Sequence, residues 1–304
     1  MRFHSRHGSR CTLRPFLLSL PEPYALKPSR LLRLGLGALS ALTLSACQSL
    51  AFGIANHGQG QPDATAVYDP VRQLSLDVYR PVAAGHDAPV LVYFYGGSWQ
   101  HGSRSDYRFV GRRLASTGAV VMIADYRLAP DTVFPGFVED GARAVAWARA
   151  HAADYGGNPA RIFLAGHSAG AQIAALLGTD AHYLADQGVP RSAIAGVIGL
   201  AGPYDFQISG ELTEVFGPPS RWPRAQPIGF VDGDEPPFLL VSGRKDTEVE
   251  PRQTEDLAER LRTAGGQVEV LWLPGGHLAP LIDLYAPRRH PALLARIGEF
   301  VRAP

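Results

Sequence analysis

Three residue types in a particular order give this chain the means for acyl transfer. Ser168 lies in Gly166-His167-Ser168-Ala169-Gly170, a G-x-S-x-G pattern. A serine hydroxyl is a weak nucleophile without a base, and the base needs a group to orient it. Donors are also needed for the oxyanion that forms on attack. Three histidines follow Ser168: His182, His277 and His290. His182 comes before several expected strands, and His290 precedes a terminal helix where a surface position is expected. His277 ends Leu273-Pro274-Gly275-Gly276-His277, a Gly-rich loop directly after the last expected strand. Open α/β sheets place their sites in loops of that kind. His277 is therefore the base. The acid should follow an earlier strand end, and Asp246 does so after Phe238-Leu-Leu-Val-Ser-Gly243. Glu248, Glu250 and Asp205 compete with it. The two glutamates suit a helix start, and Asp205 follows the strand before.

The surrounding elements must position these groups. Arg161 to Ala165 reads as a short buried strand and Ala169 to Leu177 as a helix apolar on all sides. A sharp turn between them leaves Ser168 strained and projecting from the sheet edge. Gly166 and Gly170, lacking Cβ, let strand and helix crowd together. Leu74 to Tyr79 alternates apolar and polar residues, the pattern of a half-exposed strand. Pro89 to Tyr95, Ala119 to Ala124, Ile194 to Leu200, Phe238 to Val241 and Gln267 to Leu273 are further strands. Helices are expected over residues 107–117, 138–153, 251–264 and 291–302. Pro251 suits a first turn, and Gly265-Gly266 a stop. Strands alternating with helices predict an α/β fold, a mostly parallel central sheet with helices on both faces. Residues 204–235, rich in proline, form a cap or substrate-side loop.

The 304 residues are 46% hydrophobic with a formal net charge of +1, which gives no case for a nucleic-acid partner. The charge is uneven. Residues 1–46 carry seven Arg/Lys and one acid of the chain's 29 basic and 28 acidic residues, so the remainder is net −5. A basic start followed by the apolar run Leu34 to Ala46 predicts a signal peptide over residues 1–46. The run is too short to span a bilayer comfortably. Residues 47–70 are expected to be a tether or an early strand, and residues 71–304 the globular domain. The two cysteines are Cys11 and Cys47, so the globular part holds no internal disulfide.

From about Leu74 onward the chain resembles the α/β-hydrolase superfamily, above all the hormone-sensitive-lipase-like and feruloyl-esterase-like carboxylesterases. Beyond Gly-His-Ser-Ala-Gly the match includes Asp125-Tyr126-Arg127-Leu128-Ala129-Pro130, Tyr155-Gly156-Gly157-Asn158-Pro159 and Gly202-Pro203-Tyr204-Asp205-Phe206. The resemblance implies an α/β-hydrolase fold and a small-molecule ester substrate, with no metal or organic cofactor. Nucleophile, acid and base fall on Ser168, Asp246 and His277. Oxyanion donors fall on the amides of Gly96, Gly97 and Ala169. One motif departs: the family's His-Gly-Gly-Gly is here Tyr95-Gly96-Gly97-Ser98. Amidases, formamidases and peptidases use the same machinery and are the rival enzyme readings; a binding protein without catalysis is the rival outside enzymes. Trp99 beside the oxyanion glycines either stacks on an aromatic part of the substrate or packs in the core. Leu44-Ser45-Ala46-Cys47 resembles a bacterial lipobox, which implies lipidation of Cys47. Membrane contact would then be through that anchor only, on the periplasmic side of the cell envelope. A plain secreted or periplasmic product is the alternative.

Overall fold

The computed structural model describes residues 52–82, 87–288 and 291–303. The expected signal peptide, Cys11, Cys47 and His290 lie outside these residues. Eight strands form one sheet: β1 (Ala64–Asp69), β2 (Leu74–Tyr79), β3 (Ala88–Phe94), β4 (Val120–Ala124), β5 (Gly157–His167), β6 (Ile194–Leu200), β7 (Phe238–Gly243) and β8 (Val268–Leu273). Their order across the sheet is β1-β2-β4-β3-β5-β6-β7-β8. Strand β2 runs antiparallel to both neighbours, and every other pair is parallel.

The main helices are α1 (Arg108–Ala115), α2 (Gly136–His151), α3 (Ala169–Thr179), α4 (Pro251–Thr263), α5 (Ala279–Tyr285) and α6 (Pro291–Arg302). Strands β3, β4 and β7 are buried at every position. Successive side chains of a strand point to opposite faces, so both faces of the sheet's centre are covered. Helix α3 is buried along its whole length, which explains why its sequence shows no polar stripe. This is the mostly parallel α/β sheet that the alternation of strands and helices predicts, and the α/β-hydrolase fold that the resemblance implies.

One open choice is decided and one expectation needs correction. Residues 64–69, in the stretch read as a tether or early strand, are the early strand, at the sheet edge: Ala64 faces Val78 and Val67 faces Ser75. Strand β2 is buried apart from a half-buried Ser75. Its alternation misled because Asp77 is paired inside the fold: Oδ1 accepts from Thr65 Oγ1 at 2.6 Å and Arg104 Nε at 3.0 Å. Burial of a charge is tolerable when it is hydrogen-bonded in this way.

The parallel arrangement aligns the carboxyl ends of five neighbouring strands. Phe94 of β3 pairs with Gly166 of β5, His167 with Leu200 of β6, Leu200 with Val241 of β7, and Gly243 with Leu273 of β8. Loops separated by up to 180 residues in sequence thus emerge side by side at one edge of the sheet.

Candidate active site

Ser168 links β5 directly to α3, with φ 54° and ψ −122°. A non-glycine residue in that region costs on the order of 1–3 kcal/mol and persists only where the surroundings enforce it. They do so here. Ser168 N–H donates to Leu200 O at 2.9 Å, and Ser168 O accepts from the amides of Ala171 and Gln172 at 2.9 and 3.2 Å. The flanking glycines are required by crowding. A Cβ on Gly166 would lie 2.2 Å from Gly170 O, and one on Gly170 would lie 2.1 Å from Phe94 O.

The base loop after β8 is tied to the acid loop after β7. Arg244 N–H donates to Leu273 O, and Lys245 N–H donates to Gly275 O, each at 2.9 Å. Asp246 and His277 therefore meet across the ends of adjacent strands. Asp246 Oδ2 is 2.9 Å from His277 Nδ1, and His277 Nε2 is 2.9 Å from Ser168 Oγ. A carboxylate can only accept, so Nδ1 carries the proton and Nε2 is free to accept from the serine hydroxyl. Asp246 Oδ1 is occupied by the amides of Glu248 and Val249, both at 2.9 Å. Burial would raise the Asp246 pKa. The His277 contact and the two amides outweigh it and lower the carboxyl below its ordinary value. The arrangement can deprotonate a hydroxyl as it attacks a carbonyl and hold the imidazolium that results.

The competing acids stand elsewhere. Glu248 is 69% exposed, with Oε2 3.8 Å from His277 Nε2, on the side of the ring away from Asp246. Glu250 is exposed where α4 begins, and Asp205 is exposed with its amide held by Gln253. Among the histidines, His182 pairs with Asp180 at 2.5 Å.

The oxyanion loop needs one correction. Gly96 N–H donates to the buried Tyr107 hydroxyl at 3.1 Å, so this amide is committed and cannot serve as a donor. Gly96 is a glycine for another reason: a Cβ there would lie 3.1 Å from Ser168 Cβ and 2.9 Å from His167 Nδ1. Among the described residues no acceptor faces the amides of Gly97, Ser98 or Ala169. Gly97, Ser98 and Trp99 follow with φ of 134°, 53° and 59°, a tight turn beside Ser168. Ser98, whose amide is open beside the cleft, is a candidate that sequence reasoning missed; glycine content drew attention to its neighbours. The Asp125-Tyr126-Arg127 stretch supports this loop. Tyr126 Oη donates to Tyr95 O at 2.8 Å, the two rings stack 4.5 Å apart, and Ala129 N–H donates to Trp99 O at 2.8 Å. Arg127 is in turn held by the fully buried Asp140.

Trp99 is mostly packed, with one edge in the lining of the cleft beside Ser98 and Ser168. It is 4% exposed, Phe206 and Phe137 stack on it at 5.6 and 6.1 Å, and its indole N–H donates to Gln172 Oε1 at 3.2 Å. Residues 204–235 fold as short helical turns over this cluster, with Val215, Phe216 and Ala225 buried. The cleft between them and the loops measures about 390 Å³. Ser98, Trp99, Ser168, Phe206, Gln253 and His277 are among the residues that line it.

The chain is 32% identical over 251 residues to the esterase LipQ of Mycobacterium tuberculosis, covering 76% of this chain and 59% of that protein. It is 37% identical over 220 residues to the esterase LipC of the same organism, covering 64% and 54%. The chain thus spans little more than half the length of these relatives. Esterase 2 of Thermogutta terrifontis, in a structure phosphonylated by cyclosarin, superposes with a TM-score of 0.67 at 26% identity, covering 81% of this chain and 98% of that one. The BD-FAE family model matches residues 76–261, more than half of the chain and the span from β2 into α4, and the chain belongs to that family.

Proposed function

We propose that the chain is a serine carboxylesterase acting on small to medium acyl or aryl esters. The observation that carries this reading is the unbroken hydrogen-bonded line from Asp246 through His277 to Ser168 Oγ, beside amides without acceptors. Ser168 Oγ attacks the ester carbonyl while His277 Nε2 takes its proton. The oxyanion is received by the amides of Ala169 and of the Gly97–Ser98 turn. Collapse of the tetrahedral species breaks the ester C–O bond, and the Nε2 proton goes to the departing alcohol. Water, deprotonated by the same nitrogen, then releases the acid from Ser168. The names of the mycobacterial relatives support ester hydrolysis. So does the Thermogutta esterase, whose structures carry a phosphonyl group or bound propionate.

The proline-rich stretch 204–235 carries Glu211, Glu214, Arg221, Arg224, Asp232 and Asp234, a poor surface for docking on an oil interface, which favours short soluble esters. Along a series of p-nitrophenyl esters from two to sixteen carbons, kcat/KM should peak at the short end. It should fall about tenfold or more toward sixteen carbons. A maximum at the long end overturns the short-ester reading. Inactivity on every ester with turnover of N-formyl or peptide amides transfers the chain to the amidases.

For location, no helix among the described residues is long and apolar enough to cross a membrane. We propose attachment through lipidated Cys47, from its lipobox context. One acyl chain holds a protein only marginally at a bilayer, and two or more hold it stably. Labelled palmitate should enter the wild-type chain and be absent from Cys47→Ala, which should leave the membrane fraction. Equal label in both forms overturns the anchor.

A further inference from the structure

The mechanism leaves unused one buried imidazole beside Ser168. His167, the last residue of β5, is 2% exposed. Its Nε2 lies 3.1 Å from the carbonyl oxygen of His277, and the two rings are 4.9 Å apart at 49°. A carbonyl only accepts, so Nε2 carries the proton and donates. On the other edge of the ring, Nδ1 has no hydrogen-bond partner among the described residues. That edge faces the oxyanion loop, where a Cβ on Gly96 would come within 2.9 Å of Nδ1. One ring therefore touches the backbone of both loops that serve Ser168.

We propose that His167 is a positioning residue that holds the His277 loop at the distance from Ser168 that proton transfer requires. The need arises from the loop's own sequence. Gly275 and Gly276 precede His277 and restrict its backbone little. Lys245 N–H on Gly275 O and Ala279 N–H on Gly276 O hold the two glycines, and the carbonyl of His277 itself is held by His167. Acid–base work by His167 is excluded by its surroundings. Burial, and next the proximity of His277, lower its pKa to about 3, so the ring is neutral at working pH. A neutral ring is what this task requires: it presents one donor to the His277 carbonyl and places no second positive charge beside the imidazolium that forms during turnover. The G-x-S-x-G pattern leaves this position open, so the assignment comes from the contact alone.

The inference rests on Ser168 and His277 being nucleophile and base, and its test separates the two questions. The full chain is compared with His167→Phe, which keeps a ring and loses the donor, and His167→Gln, whose amide N–H can reach the same carbonyl. On p-nitrophenyl butyrate the Phe variant should lose kcat about 10- to 100-fold with KM within about twofold. The Gln variant should recover most of that loss. In the wild-type chain, nitrogen NMR should show His167 as the neutral Nε2–H form throughout pH 5–8. Wild-type kcat in the Phe variant overturns the proposal, as does a loss that tracks the melting temperature equally in both variants. A His167 ring that titrates in that range also overturns it, and this readout needs no variant to fold. Absence of fluorophosphonate labelling in the wild-type chain would instead sink the serine-esterase reading and leave the NMR result to stand by itself.

Discussion

Ser168→Ala should remove ester turnover on the order of 10⁶-fold in kcat, the scale at which a serine nucleophile and its base act as a unit. Labelling by a fluorophosphonate probe should vanish with it, because only an activated hydroxyl attacks the phosphorus. The fold should survive. The backbone bonds that hold the turn, from Ser168 N–H to Leu200 O and from the amides of Ala171 and Gln172 to Ser168 O, do not involve the side chain. Among the described residues the side-chain hydroxyl bonds only to His277, and Ser168 is half-buried. Activity and circular dichroism measured on the same preparation check both halves. Labelling retained at the wild-type level removes Ser168 from the chemistry.

Asp246→Asn should lower kcat by up to about 10⁴-fold, and His277→Ala should cost nearly as much as losing Ser168. The reason for the first is the proton on His277. Asp246 Oδ1 receives two backbone amides, while Oδ2 receives Nδ1–H. An asparagine would keep its carbonyl on the two amides and turn its NH₂ toward Nδ1. Two donors cannot face each other, so His277 would shift its proton to Nε2 and could no longer take one from Ser168. Glu248→Gln should leave most of the activity, since this exposed side chain reaches the His277 ring only at 3.8 Å. Single-turnover kinetics of the three variants decide the matter. A nearly normal Asp246→Asn beside an inactive Glu248→Gln would move the acid to Glu248.

Much of the architecture was legible because it is written over short distances. Ile194–Leu200 and Pro291–Arg302 have the same bounds in sequence reading and structure. Each is an apolar run or periodic stretch closed by its own turn residues. The strained turn at Ser168 was legible for the same reason, since its glycines are needed by atoms only a few residues away. The alternation in β2 failed as a guide to exposure because Asp77 is satisfied by Thr65 and Arg104, from other parts of the chain. The choice left open for Trp99, between substrate contact and core packing, also depended on distant residues. The Trp99 neighbours Phe137, Phe206 and Phe216 come from three separate segments.

The order of Ser168, Asp246 and His277 and the strand-turn-helix around the serine were set by local sterics and by the alternation of elements along the chain. The partnerships at the site were not. Asp246 meets His277 because β7 and β8 lie side by side with Gly243 opposite Leu273. Gly96 loses its role as a donor because Tyr107 reaches its amide. His167 acquires a role because the His277 carbonyl arrives 110 positions later in the chain. Periodicity and turn chemistry act between residues a few positions apart. Which acceptor a given N–H finds depends on strand order and packing, and these exist only once the sheet has assembled.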